Sequence, residues 1–244
     1  MSSFTFNGTD FADYGLVVKE RDIPMGYEID STQLHYRAFA TDSKVAPKTI
    51  SLGVVVTAAS VTVLKTNMDT IMRLLNTWDD EALILDTLSD RYWNARFKSL
   101  SGRFKGVKFE GNIEFICLDP YAYDNTEVSN DYTDNEEPET ITETTGGTAL
   151  IEPVYLLTAD GQQLAATVTV RNDTLGLEIS WTGDLENGED LKIDVPLWLV
   201  TLEDVASMST VTGEFPLLSP GVANTIEVGG FTGNVKITYR NRYN

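Results

Sequence analysis

Apolar and polar side chains alternate from Phe109 to Leu118. Phe109, Gly111, Ile113, Phe115 and Cys117 share one face, and Glu110, Asn112, Glu114, Ile116 and Leu118 share the other. A period of two over this length marks a half-buried strand. Asp119-Pro120 stops it, because proline lacks an amide donor and holds φ near −65°. Tyr121 and Tyr123 are placed to cover the end of the sheet, so a domain is expected to close near residue 123.

The same reading predicts strands over residues 3–6, 48–57, 82–86 and 92–98, turns at Asn7-Gly8 and Ser89-Asp90, and a loop over 102–106. Gly53 marks a candidate bulge in the second of these strands. From Glu20 to Ala46 the pattern weakens, with Leu34, Tyr36 and Ala38 forming a candidate edge strand. One helix is expected. Thr66-x-x-Asp69 reads as its N-terminal capping box, and Met68, Ile71, Met72, Leu75 and Trp78 recur at three and four residues as one apolar stripe. Such a stripe is expected to pack on a sheet as core rather than to line a ligand pocket.

Residues 124–148 are acidic, poor in large apolar side chains and broken by Pro138 and Gly146-Gly147, so they read as a linker or exposed arm. Strand-like stretches then follow at short spacing, over 154–157, 165–170, 177–181, 190–195, 197–202, 224–228 and 234–239. Turns are expected at Asp160-Gly161, Asn172-Asp173, Asn187-Gly188, Pro220-Gly221 and Gly229-Gly230. That cadence predicts an antiparallel β-sandwich. The expected fold class is mainly β with one helix: an α+β domain over 1–123, the acidic segment 124–148, and a sandwich over 149–244.

With 244 residues, 42% of them hydrophobic, the chain is large enough for two domains of about 100 to 150 residues. Its charge of −19 disfavours a surface that grips phosphate. The acid is concentrated: residues 124–190 hold 16 acidic and 1 basic side chain, against 16 and 13 in residues 1–123. Cys117, the single cysteine, lies on the apolar face of its strand and reads as a buried hydrophobe, and no intrachain disulfide is possible. The N-terminus has no basic and apolar leader pattern, and no stretch reaches the roughly 18 apolar residues that span a bilayer, so folding in a cytoplasm is expected.

Chemistry is sparse. His35 is alone in the chain, and no Gly-x-Ser-x-Gly, Walker A or Gly-x-Gly-x-x-Gly pattern occurs, so no enzyme, cofactor or metal is expected. The acidic run from Asp184 to Asp190 differs from a calcium loop in its glycine position and lacks the closing glutamate; a hairpin turn at Asn187-Gly188 accounts for it. Trp181 and Trp198 are the candidate sugar-stacking platforms of a sandwich, although their apolar surroundings place both in the core.

Several stretches together resemble the distal tail protein family of long-tailed bacteriophages. Phe4, Phe6, Asn7, Gly8, Tyr14, Gly15 and Leu16 match its opening, and Asp119, Pro120 and Tyr121 match the end of its first domain. The C-terminal part carries more: Gly183-Asp184-Leu185, Leu191, Ile193 and Asp194, then Gly213, Phe215-Pro216-Leu217-Leu218, Pro220-Gly221, Asn224 and Ile226, and finally Val235, Ile237, Tyr239-Arg240 and Arg242-Tyr243. Relatives often carry a Gly-Arg-x-Gly loop after the second strand; residues 34–46 contain no glycine. The resemblance implies a tail-tube-like first domain forming a hexameric ring around a central channel, and a galectin-like second domain. It implies a structural virion protein at the tail tip, assembled in the host cytoplasm and joining the tail tube to the baseplate. The partners it implies are copies of itself, the tail-tube protein, a tail-tip hub or tail-associated lysin, and the tape-measure protein, with no specific nucleic-acid binding.

Overall fold

The computed structural model describes residues 2–24, 46–133 and 139–244; His35 and the expected edge strand at Leu34, Tyr36 and Ala38 lie outside them. The chain forms two compact units, one running to Asn125 and including Asn244, the other Thr126–Tyr243.

The first unit contains β1 (Phe4–Phe6), β2 (Thr9–Asp10), β3 (Leu16–Asp22), β4 (Lys48–Thr57), α1 (Val61–Leu75), β5 (Glu81–Leu85), β6 (Arg91–Lys105), β7 (Lys108–Cys117) and β8 (Ala122–Asp124). The strands pair in the order β2-β1-β5-β6-β7-β4-β3, all antiparallel. Strand β7 is the expected one. Phe109, Ile113, Phe115 and Cys117 are buried, while Glu110, Asn112 and Glu114 look outward. Strand β6 is long enough to serve two partners: Trp93 to Ala95 pair with β5, and Arg96 to Lys105 pair with β7 across an irregularity between Phe97 and Ser99. A bulge of that kind bends a strand from one sheet direction into another.

The predicted loop over 102–106 is instead the end of β6. Gly102 pairs with Gly111 of β7, and a Cβ on either would collide with backbone and with the Phe109 ring, so two glycines side by side let that ring lie across the ladder. The turn itself falls at Gly106 and Val107, where Gly106 has φ 59°. The irregularity expected at Gly53 lies across the ladder from it, on β3 between Val18 and Glu20, and Gly53 leaves room for the Glu20 side chain.

Helix α1 packs on β4 and β7 through Leu64, Met68, Ile71 and Leu75. It begins two turns of sequence before the predicted capping box. Ser60 is the cap, its hydroxyl accepting the Val63 amide at 3.2 Å, while Thr66 sits mid-helix and donates to the Thr62 carbonyl. The β-branched first turn, Val61-Thr62-Val63, concealed this start. Met72 is displaced by 100° from Ile71 and is 39% exposed, and Trp78 follows the helix end and is 91% exposed. Neither belongs to the core stripe.

The second unit contains β9 (Val128–Tyr132), β10 (Glu139–Thr144), β11 (Val154–Ala159), β12 (Gln163–Asn172), β13 (Leu177–Leu185), β14 (Asp190–Asp194), β15 (Leu199–Leu202), β16 (Val205–Ala206), β17 (Val211–Gly213), β18 (Ala223–Gly229) and β19 (Gly233–Tyr239). They make two antiparallel sheets, β10-β18-β12-β13-β17 and β16-β15-β14-β11-β19-β9. Tyr155, Leu157, Val170, Ile179, Trp181, Ile193, Ile226 and Ile237 are among the side chains packed between them, in the antiparallel sandwich that the spacing of strands and turns predicts and that the resemblance implies to be galectin-like.

Two departures stand out here. Within the segment expected as a linker or exposed arm, residues 128–132 and 139–144 are strands: β9 pairs with β19, and β10 pairs with β18 along its whole length. The expected strand over 197–202 starts only at Leu199, because Pro196 cannot extend the ladder and Trp198 takes φ 52°.

The helix start is open to a direct test. Ser60→Ala is expected to lower stability by about 1 kcal/mol, while Thr66→Ala is expected to change it by under about 0.5 kcal/mol, both read from urea unfolding. A loss for Thr66→Ala with none for Ser60→Ala would return the cap to Thr66.

Candidate functional site

The residues singled out from the sequence fall into separate structural stations. At the N-terminus, Asn7 and Gly8 take φ of 47° and 70° and join β1 to β2 through a two-residue loop, the geometry their side chains permit. The hairpin presents Phe4 and Phe6 to Phe115, with ring centroids 5.7 and 5.1 Å apart, and Phe4 stacks on Phe11 at 4.7 Å. At the end of β7, Asp119 Oδ1 accepts the Tyr121 amide at 3.3 Å and Oδ2 accepts the Tyr123 hydroxyl, while Pro120 is buried between them. Tyr123 in turn stacks on Tyr92 at 5.7 Å. Asp119-Pro120-Tyr121 is therefore a built terminus, with its polar groups engaged.

In the second unit the segment from Pro216 to Asn224 is held by one buried amide. Asn224 Oδ1 accepts the Ser219 amide at 2.7 Å and the Asn172 side-chain amide at 3.1 Å; its Nδ2 donates to the carbonyls of Ser219 at 3.0 Å and Val222 at 3.3 Å. Thr145 closes the circle by donating to the Ser219 carbonyl at 2.6 Å, and Asn172 donates to the Leu217 carbonyl at 2.6 Å. Pro220 and Gly221 lie at the head of this turn, with the Gly221 amide bonded to the Gly146 carbonyl at 3.1 Å. Asn172, expected only as a turn residue, is thus a buried strut.

Glu143 is the residue that sequence reasoning missed. It was expected on a solvated acidic arm and is buried. Asn130 Nδ2 donates to both of its oxygens at 2.9 Å, the Tyr132 hydroxyl to Oε1 at 2.7 Å and the Tyr239 hydroxyl to Oε2 at 3.2 Å. Since Asn130, Tyr132 and Tyr239 belong to one sheet and Glu143 to the other, the carboxylate ties the two together. Burial and the neighbouring carboxylate raise the Tyr239 pKa. The period-two pattern Ile141, Glu143, Thr145 was the available signal.

Gly183 lies against the Trp181 ring, which leaves no room for a Cβ, and Gly213 ends β17 opposite Ile179. Asp194 ends β14, accepts the Leu197 amide at 3.2 Å and pairs with Lys192 at 2.7 Å, shaping the turn that carries Trp198. The two candidate platforms separate. Trp181 is core, 2% exposed, with its indole N–H donating to the Ser207 hydroxyl at 2.8 Å. Trp198 is 60% exposed, resting edge-on against Phe215 at 5.3 Å; the core placement expected for it fails because the turn lifts it off the sheet.

Groups with reactive chemistry do not converge. Burial pushes the Cys117 thiol from its ordinary 9.0 up to about 12, and burial lowers the pKa of its cross-strand neighbour Lys48. The carboxylates from Asp184 to Asp190 bond to different backbone and side-chain partners: Asp184 accepts the Ala165 amide and Asp190 the Thr158 hydroxyl. Among the described residues no group of three or more His, Cys, Asp or Glu could hold a metal ion, and no described helix is long and apolar enough to cross a membrane.

Residues 146–243 match the family model described as siphovirus-type tail component, C-terminal domain. The whole chain is similar in fold to the Dit protein of phage SPP1, whose structure is titled a paradigm of the hub adsorption apparatus in Gram-positive infecting phages: 100% of both chains align at 15% identity with a TM-score of 0.79. A phage p2 baseplate structure, in its activated conformation with Sr, aligns over 98% of both chains at 11% identity and a TM-score of 0.48. No curated protein matches the chain.

Asn224→Ala is expected to cost about 3 kcal/mol in urea unfolding, since it strands several buried partners at once. The Cys117 thiol gives a pH test. Its folded pKa is raised, so the native state holds the proton more tightly and this contribution is complete below pH 9 and lost as pH rises toward about 12. Cys117→Ala should therefore show a shallower loss of stability over that alkaline range than the unaltered chain, by up to about 1.4 kcal/mol per pH unit.

Proposed function

We propose that this chain, a siphovirus-type tail component by the family match of its C-terminal unit and Dit-like in fold along its whole length, is a ring subunit at the phage tail tip. Six copies joined head to tail would enclose a central channel and connect the tail tube to the baseplate, with the tail-tube protein on one side and the tip hub, tail lysin or tape-measure protein as further neighbours. The single observation that carries the reading is the family match over residues 146–243, supported by the full-length agreement in fold.

The physical properties are consistent with a structural role. Polar groups at the family-like motifs are engaged in holding turns, as Asn224 and Asp119 do, rather than presented to a substrate. The net charge of −19 suits a conduit for DNA, because cationic walls would bind phosphates and retard passage. Closing a ring requires heterologous contacts, in which two different patches of one subunit meet on its neighbours.

Size exclusion with light scattering is expected to give about six times 27.0 kDa, and negative-stain images a ring with a central hole. A monomer at every concentration would overturn ring formation by the chain alone.

A second reading rests on one observation, the exposure of Trp198. The sandwich would then bind carbohydrate through that indole, as exposed aromatic rings stack on sugar faces. A glycan array is expected to show binding abolished by Trp198→Ala and retained by Trp181→Phe; absence of binding by the unaltered chain removes this reading.

A further inference from the structure

We infer that Trp78 is a knob that enters an apolar socket on the first unit of a neighbouring copy, forming the heterologous contact that the ring reading requires and on which this inference rests. Trp78 is the most exposed of the large hydrophobic side chains described, 91% open, in the segment between α1 and β5. An indole so placed costs solvation with no return in the isolated chain, and tryptophan is the side chain most often found at the energetic centre of an interface.

The first unit also holds a socket. A cavity of about 560 Å³ opens beside β3 and β4, within the ~300–1,000 Å³ range of pockets that enclose a small ligand and with room for one indole. Val17 and Val55, a cross-strand pair, are in its wall, Ala12 and Gly15 contribute small residues, and Lys19 and Lys108 stand in the lining. Ser2 seals the back, its carbonyl accepting the Val18 amide at 2.8 Å.

Charge matches shape. Trp78 is followed by Asp79, Asp80 and Glu81, of which Asp80 already pairs with Arg96 at 3.1 Å, and the socket carries two lysines against one glutamate, Glu110. Lys105 bonds to Glu110, and that bond, with Arg103 and Lys108 nearby, holds the Glu110 carboxyl below its usual range, so the socket's one acid is already matched by cations. Lys19, which none of those contacts uses, is then available to an incoming carboxylate, and an ammonium near an indole face adds cation–π attraction. A knob and a socket at different places on one surface can repeat head to tail into a ring or a filament, whereas reciprocal exchange would stop at a two-fold pair, which the mass from light scattering tells apart.

Two variants test this. Trp78→Ala removes the knob and Ala12→Trp fills the socket from an exposed position; circular dichroism is expected to match the unaltered chain, and so is melting at dilutions where all are monomeric. Each variant alone is expected to weaken assembly at least tenfold in concentration-dependent light scattering. Mixed one to one, they should give only a heterodimer, because the Ala12→Trp copy offers its knob to the open socket of the Trp78→Ala copy and no further contact can form. Assembly should also blue-shift tryptophan emission in the unaltered chain, and Lys19→Glu should weaken association and Asp79→Lys partly restore it. Unchanged assembly of either variant, or a mixture that forms rings or stays monomeric, overturns the contact while leaving the ring reading intact. A monomeric unaltered chain overturns ring formation by the chain alone, and this contact with it.

Discussion

Strand β7 is the constraint from which the first unit is built, because it is hydrogen-bonded along both edges. Each residue from Lys108 to Cys117 pairs with β4, and nearly all of them pair with β6 as well. A strand fixed on both sides cannot slip by one residue without turning its apolar face outward. Its register therefore fixes where α1 packs, through Leu64, Met68, Ile71 and Leu75, and where Phe4 and Phe6 meet Phe115. Asp119 and Pro120 complete the constraint by ending the strand in a turn whose carboxylate is used twice.

What could be read from the sequence follows from which forces are local. Period-two alternation and turn chemistry are local, so β4 and β7 and the turns at Asn7-Gly8 and Asn187-Gly188 were legible at residue level, although the second joins β13 to β14 of the other sheet and is not the hairpin expected there. The caps and ends of α1 were less so. A serine cap without a glutamate three residues on is a weak signal, and a tryptophan three residues past Leu75 continues the helical arithmetic although the helix has stopped. Burial of polar groups is not local at all. Glu143 lies in a run whose composition says solvent, and only the pairing of β9 with β19 brings Asn130, Tyr132 and Tyr239 to its carboxylate. Asn224 was visible as one residue of a motif, but its role as a four-way bond could not be read before Asn172, Ser219 and Thr145 were placed beside it.

The motif residues share a physical character. Asp119, Asn224 and Asp194 all accept backbone amides near their own turns, and Gly8, Gly183 and Gly213 stand where a side chain would strain the backbone or strike a neighbour. They fix the shape of the protein. The positions that specify turns and buried bonds are few, and elsewhere volume and pattern suffice.

Charge distribution bears on which surfaces of such a chain can meet a copy of themselves. Bringing together molecules of −19 is opposed by repulsion that ionic strength screens only beyond about 8 Å, so a close contact must be made where local charge is nearly balanced. Residues 124–190 carry sixteen acids and one base; residues 1–123 carry sixteen and thirteen. The first unit is therefore the part of the molecule that can approach another copy at contact distance without a large electrostatic cost. The acidic stretch lies almost wholly in the second unit, where the same repulsion opposes close approach of two copies. A ring subunit of the kind proposed above would need both, attraction confined to one pair of patches and repulsion almost everywhere else.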